Sequence, residues 1–215
     1  MSSMTRPWDE HVCWFLEQLE VPDLTKDPLL LEAVRDDHLR SPNGTAEDDY
    51  IARLMTTSLR MAERVTNRSL LPTSWRQVLD GFPSEIVLPH PPLMTVASIV
   101  YVDPDGVEQT IAGGSPEAFW MSAPLGPRAP KGRLQPLYGT SWPSTRCQPD
   151  AVRVTFTGGY PLVGTPEVAE IPEDITHGRL LVISELYKQR SESVPLSLTP
   201  ALIRARDLWL GYRLE

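Results

Sequence analysis

Four histidines, His11, His38, His90 and His177, are the side chains of this 215-residue chain best suited to move protons or hold a metal near neutral pH. They fall in four separate predicted elements, and no HxxxH or HExxH spacing puts two of them on one helix face. A metal centre is therefore not expected. Cys13 and Cys147 are far apart with no CxxC or Cys/His ligand spacing, so both are expected to be buried thiols. His90 is the one candidate general base, in LPHPPL between Pro89, Pro91 and Pro92. No acid or nucleophile lies beside it. Each proline fixes φ and withholds an amide donor, so His90 is expected in a stiff turn that leads into a strand.

The other candidate chemistry is equally thin. Gly113-Gly114 and Gly158-Gly159 lead into no capped helix and carry no Lys-Ser/Thr; they are expected to be positive-φ positions at strand ends. Asp36, Asp37, Glu47, Asp48 and Asp49 cluster near predicted helix ends, where capping and solvation account for them. Six tryptophans include Trp120 and Trp142 in the proline-rich middle. Such aromatics stack on sugars or bases, or anchor a protein interface; for Trp142-Pro143 the interface reading is favoured.

The elements that would position these groups are helical at the ends and β-rich between. Trp8, Val12, Phe15, Leu16 and Leu19 predict an amphipathic helix over 7–20. Asp27-Pro28 predicts a capped second helix through Leu30, Leu31 and Val34 toward Leu39. Thr45 and the acids after it predict a long helix with Ile51, Leu54, Met55, Ser58, Ala62 and Val65 along one stripe. Pro172 and Thr199-Pro200 open two more, the last carrying Leu202, Ala205 and Trp209.

Strands are expected at 75–79, 85–88, 95–102 and 151–157. In the third, Val96, Val100 and Val102 would share one face and Ala97, Ile99 and Tyr101 the other. Asp103-Pro104-Asp105-Gly106 should turn the chain back through Val107 to Ile111. Residues 112–150 hold many turn formers and few periodic runs, so an irregular surface excursion is expected.

The totals agree with a globular chain: 41% hydrophobic, 22% charged, with 22 prolines and 13 glycines. Its first residues mix acids among apolar ones, unlike a secretory leader, which predicts an intracellular protein with no membrane association. A formal charge of −8 argues against a dedicated nucleic-acid binder but suits a protein that sits beside DNA without holding it. The fold class expected is α+β: a helical bundle from the N- and C-terminal parts with an inserted antiparallel β-rich region. It comprises a helical extension over 1–44, a helical core of 45–74 and 171–215, and a β-rich insertion over 75–170, packed as one unit.

Six segments then match one known family in order: EAVRDDHLR (32–40), EDDYIARLMTTSLRMAERVTNRSLLPTSW (47–75), LDGFPSEIVLPHPPLMTVASIVYVDPDG (79–106), Trp142-Pro143, DAVRVTFTGGYP (150–161) and IPEDITHGRLLVISELYKQR (171–190). Together they resemble the head-to-tail connector proteins (adaptor, or head-completion) of long-tailed bacteriophages, prophages and phage-like gene transfer agents. The resemblance spans most of residues 30–190 and omits the first two dozen residues and 112–140.

The resemblance implies a non-enzymatic virion protein of the neck, without cofactors. It would form a ring beneath the portal protein, typically of twelve copies, around a channel that passes double-stranded DNA, with a tail-side connector or stopper protein below. The C-terminal helix would dock on the portal, through Leu202, Arg206, Trp209 and Tyr212. Trp120 and Trp142 are the expected contacts to a neighbouring subunit or tail protein. The rival reading is a small ligand- or carbohydrate-binding β module, and a hydrolase based on His90 is a distant third.

Overall fold

A computed structural model describes residues 14–41, 44–113, 119–189 and 199–214. It is an α+β chain that divides into two compact units. One holds the N-terminal strand with Pro72–Leu125 and Ala129–Gly159; the other holds Asp23–Leu71, Gly126–Arg128 and the chain from Tyr160 onward.

The first unit is built on an antiparallel five-stranded sheet ordered β1-β2-β8-β4-β5, from β1 (Trp14–Gln18), β2 (Thr73–Leu79), β4 (Leu93–Val102), β5 (Glu108–Ala112) and β8 (Val152–Gly158). In β8 strict alternation buries Val152, Val154 and Phe156. Strand β4 departs from the expected alternation. Its register against β8 shifts between Leu93 and Thr95 and again between Val96 and Ser98, so Val96 and Ile99 both reach the core. A bulge of this kind adds a residue to one strand and resets which side faces inward. The turn into β5 forms as expected: the Asp103 carboxylate accepts from the amides of Asp105 and Val107, and Gly106, at φ 86°, donates to the Asp103 carbonyl.

Residues 14–18 are a strand and not the expected helix. Phe15 and Leu16 lie on opposite faces; Leu16 packs on the core, Phe15 is 62% exposed, and the backbone pairs with β2 from Trp14↔Leu79 to Gln18↔Trp75. A short apolar run fits either period, and the open edge of β2 supplies the backbone partners that decide it. The 112–150 excursion is likewise more regular than expected. It contributes β6 (Trp120–Ser122) and β7 (Gly132–Gln135), which join β3 (Ile86–Leu88) in a second sheet ordered β3-β7-β6.

The second unit carries α1 (Leu31–Ala33), which widens into a π-helical stretch over Val34–Leu39, then α2 (Asp48–Thr66), α3 (Glu173–Lys188) and α4 (Pro200–Leu210). A hairpin of β9 (Leu162–Val163) and β10 (Val168–Ala169) precedes α3. Helix α2 buries Ile51, Leu54, Ser58, Leu59, Ala62 and Thr66, with Met55 and Val65 half-buried beside them. Its expected Thr45 cap does not form. Residues Gly44–Glu47 make a 3-10 turn instead, and the Glu47 carboxylate accepts from Ser41 Oγ and Tyr187 Oη.

Asp27 does not cap a helix starting at Pro28 either. Its carboxylate takes two bonds from the Arg179 guanidinium, at 2.8 and 2.5 Å, and one from the Leu29 amide at 3.0 Å. Both partners of this ion pair are buried. With its acid engaged there, the segment cannot start a helix at Pro28, and α1 begins three residues later.

Candidate functional site

His38 and His90 are each held by neighbouring groups. His38, beside α3, has Nε2 3.0 Å from the Leu180 carbonyl and 2.6 Å from Ser184 Oγ. A carbonyl only accepts, so Nε2 carries the proton and is not a base for the serine. His177 is exposed on α3, and His11 lies outside the described residues. Among the described residues no three His, Cys, Asp or Glu side chains group closely enough to hold a metal ion. Cys147 is exposed and unbridged, against the expected burial; Cys13 is outside the described residues.

His90 sits where the strand begins, at φ 56°, with its ring stacked on Trp75 at 4.4 Å and 9°. Its Nδ1 is buried without a hydrogen-bond partner in the protein, and burial holds its pKa below 6.5. A ring kept neutral by burial and packed flat against an indole acts as a wedge. The adjoining glycines explain the arrangement: a Cβ on Gly158 would come within 2.5 Å of the His90 carbonyl, and Gly159 has φ 149°. Of the expected positive-φ glycines, only Gly159 among the described residues has one: Gly158 and Gly113 are needed for close approach, the latter to the Val96 carbonyl, and Gly114 is outside the described residues.

Of the residues expected to make contacts, Trp142 is turned inward. It stacks on Phe82 at 4.9 Å and 7°, leans on Phe119, and buries its Nε1. The expectation of an exposed loop aromatic fails here because Phe82 and Phe119 supply an aromatic wall. Trp120 keeps its exposure at 61%, on β6 at the open edge of the second sheet. Leu125 and Tyr138, also in the excursion, are exposed as well.

Helix α4 shows the same split. Leu202 and Trp209 are buried; Trp209 is 2% exposed and its Nε1 donates to the Ile175 carbonyl at 3.1 Å. They pack inside the unit and hold the helix there. Gly178 makes this possible, since a Cβ there would lie 2.4 Å from Trp209 Nε1. Tyr212 is half-buried, donating to Asp174 at 3.0 Å with Arg128 over its ring. The solvent face of α4 carries Ile203, Arg204, Arg206, Asp207 and Leu210.

Sequence reasoning missed the charged supports of this helical unit. Arg179 lies among the apolar residues of α3, and Arg68, also buried, donates from Nε to the Tyr212 carbonyl at 2.7 Å. Beside them Glu63 accepts from the Leu70 amide, and burial raises its pKa. Tyr160, whose hydroxyl donates to the Pro127 carbonyl at 2.7 Å, is pushed up to about 12 by burial. The signal for Arg179 was an arginine inside an otherwise apolar helical stripe, with an acid needed elsewhere to meet it.

Exposed apolar side chains among the described residues include Ile203 and Leu210 on α4 and Trp120, Leu125 and Tyr138 in the excursion. Whole-chain comparison decides which fold carries them. A chain in the virion of a native gene transfer agent (GTA) particle superposes with a TM-score of 0.66 at 21% identity, over 90% of this chain and 94% of that one. The fold is that of a GTA particle chain. Chains in the neck of an empty GTA particle computed with C6 symmetry (TM-score 0.65, 21% identity) and of a native one computed with C12 symmetry (0.62, 18%) share it too. Each covers 91% of this chain and 94% of its own. No protein-family model and no curated protein matches. The neck fold thus spans both units, and it agrees with the connector resemblance carried by the six segments.

Proposed function

We propose that this chain is a structural, non-enzymatic protein of a virion neck, a head-to-tail connector. Copies of it form a ring, of twelve in the full neck, beneath the portal protein and above a tail-side connector or stopper. Helices of the second unit form the ring body around the DNA channel, and the β-rich unit faces a neighbour or the tail. The observation that carries this reading is the near full-length fold likeness to chains of GTA necks and virion. Six ordered motifs and the −8 charge are in keeping with it. Double-stranded DNA passing an acidic wall is repelled enough not to stick.

The portal surface is the outward face of α4. Exposed Ile203 and Leu210 offer apolar contact area, and Arg204 and Arg206 flank them. Leu202 and Trp209 act indirectly by fixing the helix. Deleting the chain from Leu202 would strip core residues, so surface substitution is the sharper test. Ile203→Asp with Arg206→Glu should leave the melting temperature unchanged and abolish co-sedimentation with portal. Undiminished co-sedimentation would show that α4 is not the docking surface.

A further inference from the structure

The second unit has an apolar groove of about 190 Å³ lined by Leu24, Leu29, Leu30, Leu31 and Met55, with room for one large side chain. Leu24 and Leu30 stand exposed at its mouth, at 45% and 59%. The segment that forms it is acidic: over 20–37 the sequence has Glu20, Asp23, Asp27, Glu32, Asp36 and Asp37 against Lys26 and Arg35. Asp27, which lines the groove, is spent on Arg179, and Asp23, Glu32 and Asp37 remain exposed in the same segment.

The excursion has the opposite character. Residues 119–140 contain Arg128, Lys131 and Arg133 and no acid, in a chain whose net charge is −8. Phe119, Ala129 and Leu134 are buried, but Leu125, close in sequence to the exposed Trp120, is 71% exposed. A basic segment tipped by a bare leucine and an acidic segment around an unfilled apolar groove are complementary in shape class and in sign.

We propose that the groove receives Leu125 from the excursion of a second copy of this chain, with Trp120 packing at the rim. This rests on the ring reading above and deepens it. Donor and acceptor are different patches of the same chain, which is what a head-to-tail contact requires to close a ring. The fixed φ values of Pro124 and Pro127, on either side of Leu125, limit the entropy lost when the tip is ordered against its acceptor.

The test uses the full chain with Cys13→Ser and Cys147→Ser, carrying either Leu125→Cys or Leu30→Cys, under conditions where native mass spectrometry detects the ring with portal. Mixed and oxidised, the two variants should give on the order of tenfold more disulfide-linked dimer than either alone, because docking raises their effective concentration. The excess should shrink as salt rises from about 0.1 to 1 M. A second variant, Leu125→Asp, should melt as the parent does and fail to form the ring. A ring that assembles without excess cross-linking, or that tolerates Leu125→Asp, overturns this interface and leaves the connector reading standing; it would indicate that a tail protein or another surface occupies the groove. Absence of any ring with portal present overturns both.

Discussion

In the β-rich unit the interior is Leu79, Ile86, Leu88, Leu93, Ile99, Val152, Val154 and Phe156, closed by stacked aromatic pairs. In the helical unit the apolar interior of Leu59, Ala62, Ile175, Val182 and Trp209 is threaded by buried charge, Arg179 with Asp27 and Arg68 on a carbonyl. Side-chain atoms buried without a partner in the protein occur in both units, Trp142 Nε1 and His90 Nδ1 in the first and Thr199 Oγ1 and Arg179 Nε in the second, and neutral groups cost little to bury compared with ions. The second cannot lose a partner, because an uncompensated charge away from water is expensive. The contrast separates two design problems: a rigid frame for loops, and a set of helices held in fixed places by directional bonds.

The largest way to break that contrast is Asp27→Ala, which strands Arg179. It should cost about 3–5 kcal/mol, read from denaturant midpoints. The double variant Asp27→Leu with Arg179→Met should recover most of that loss, since apolar replacement of a buried pair is often near neutral. Next comes Trp142→Ala, expected to cost about 3 kcal/mol by leaving a cavity against Phe82 and Phe119. Trp120→Ala should stay within about 0.5 kcal/mol of the parent and change assembly only. Equal losses from both tryptophans would contradict the inward and outward assignment.

Two smaller effects depend on pH. Burial depresses the His90 pKa, so the unfolded chain binds its proton first. Stability is full above the ordinary value of 6.5 and is lost as pH falls through the depressed folded value; His90→Phe, which keeps an aromatic ring on Trp75, should flatten that acid limb of the melting profile. Glu63 has the opposite sign. Its raised pKa means stability is present below 4.5 and lost as pH rises through the folded value, so Glu63→Gln should raise the midpoint at pH 7 and leave it unchanged at pH 4. If His90→Phe melts with the parent's acid dependence, the wedge is not what titrates.

Much of this fold is legible locally. Alternation places β8, the Asp-Pro-Asp-Gly sequence places the β4–β5 turn, and helical spacing places α2, α3 and α4. What escapes is decided by distant partners. Trp14–Gln18 is a strand because β2 has an edge to fill, and the inward face of β4 depends on bulges set by β8. Asp27 reads locally as a cap and is instead the counterion of a residue 152 positions away. Of the proposed contact residues, Arg206 and Trp120 are exposed, whereas Leu202, Trp209 and Trp142 turned inward: residue type alone does not tell an interface anchor from a core anchor.

The connector reading stands or falls on assembly. Native mass spectrometry of the purified chain mixed with the portal of its own particle should give a complex containing a closed ring of identical copies, twelve in the full neck. A chain that stays strictly monomeric and never binds portal would contradict it.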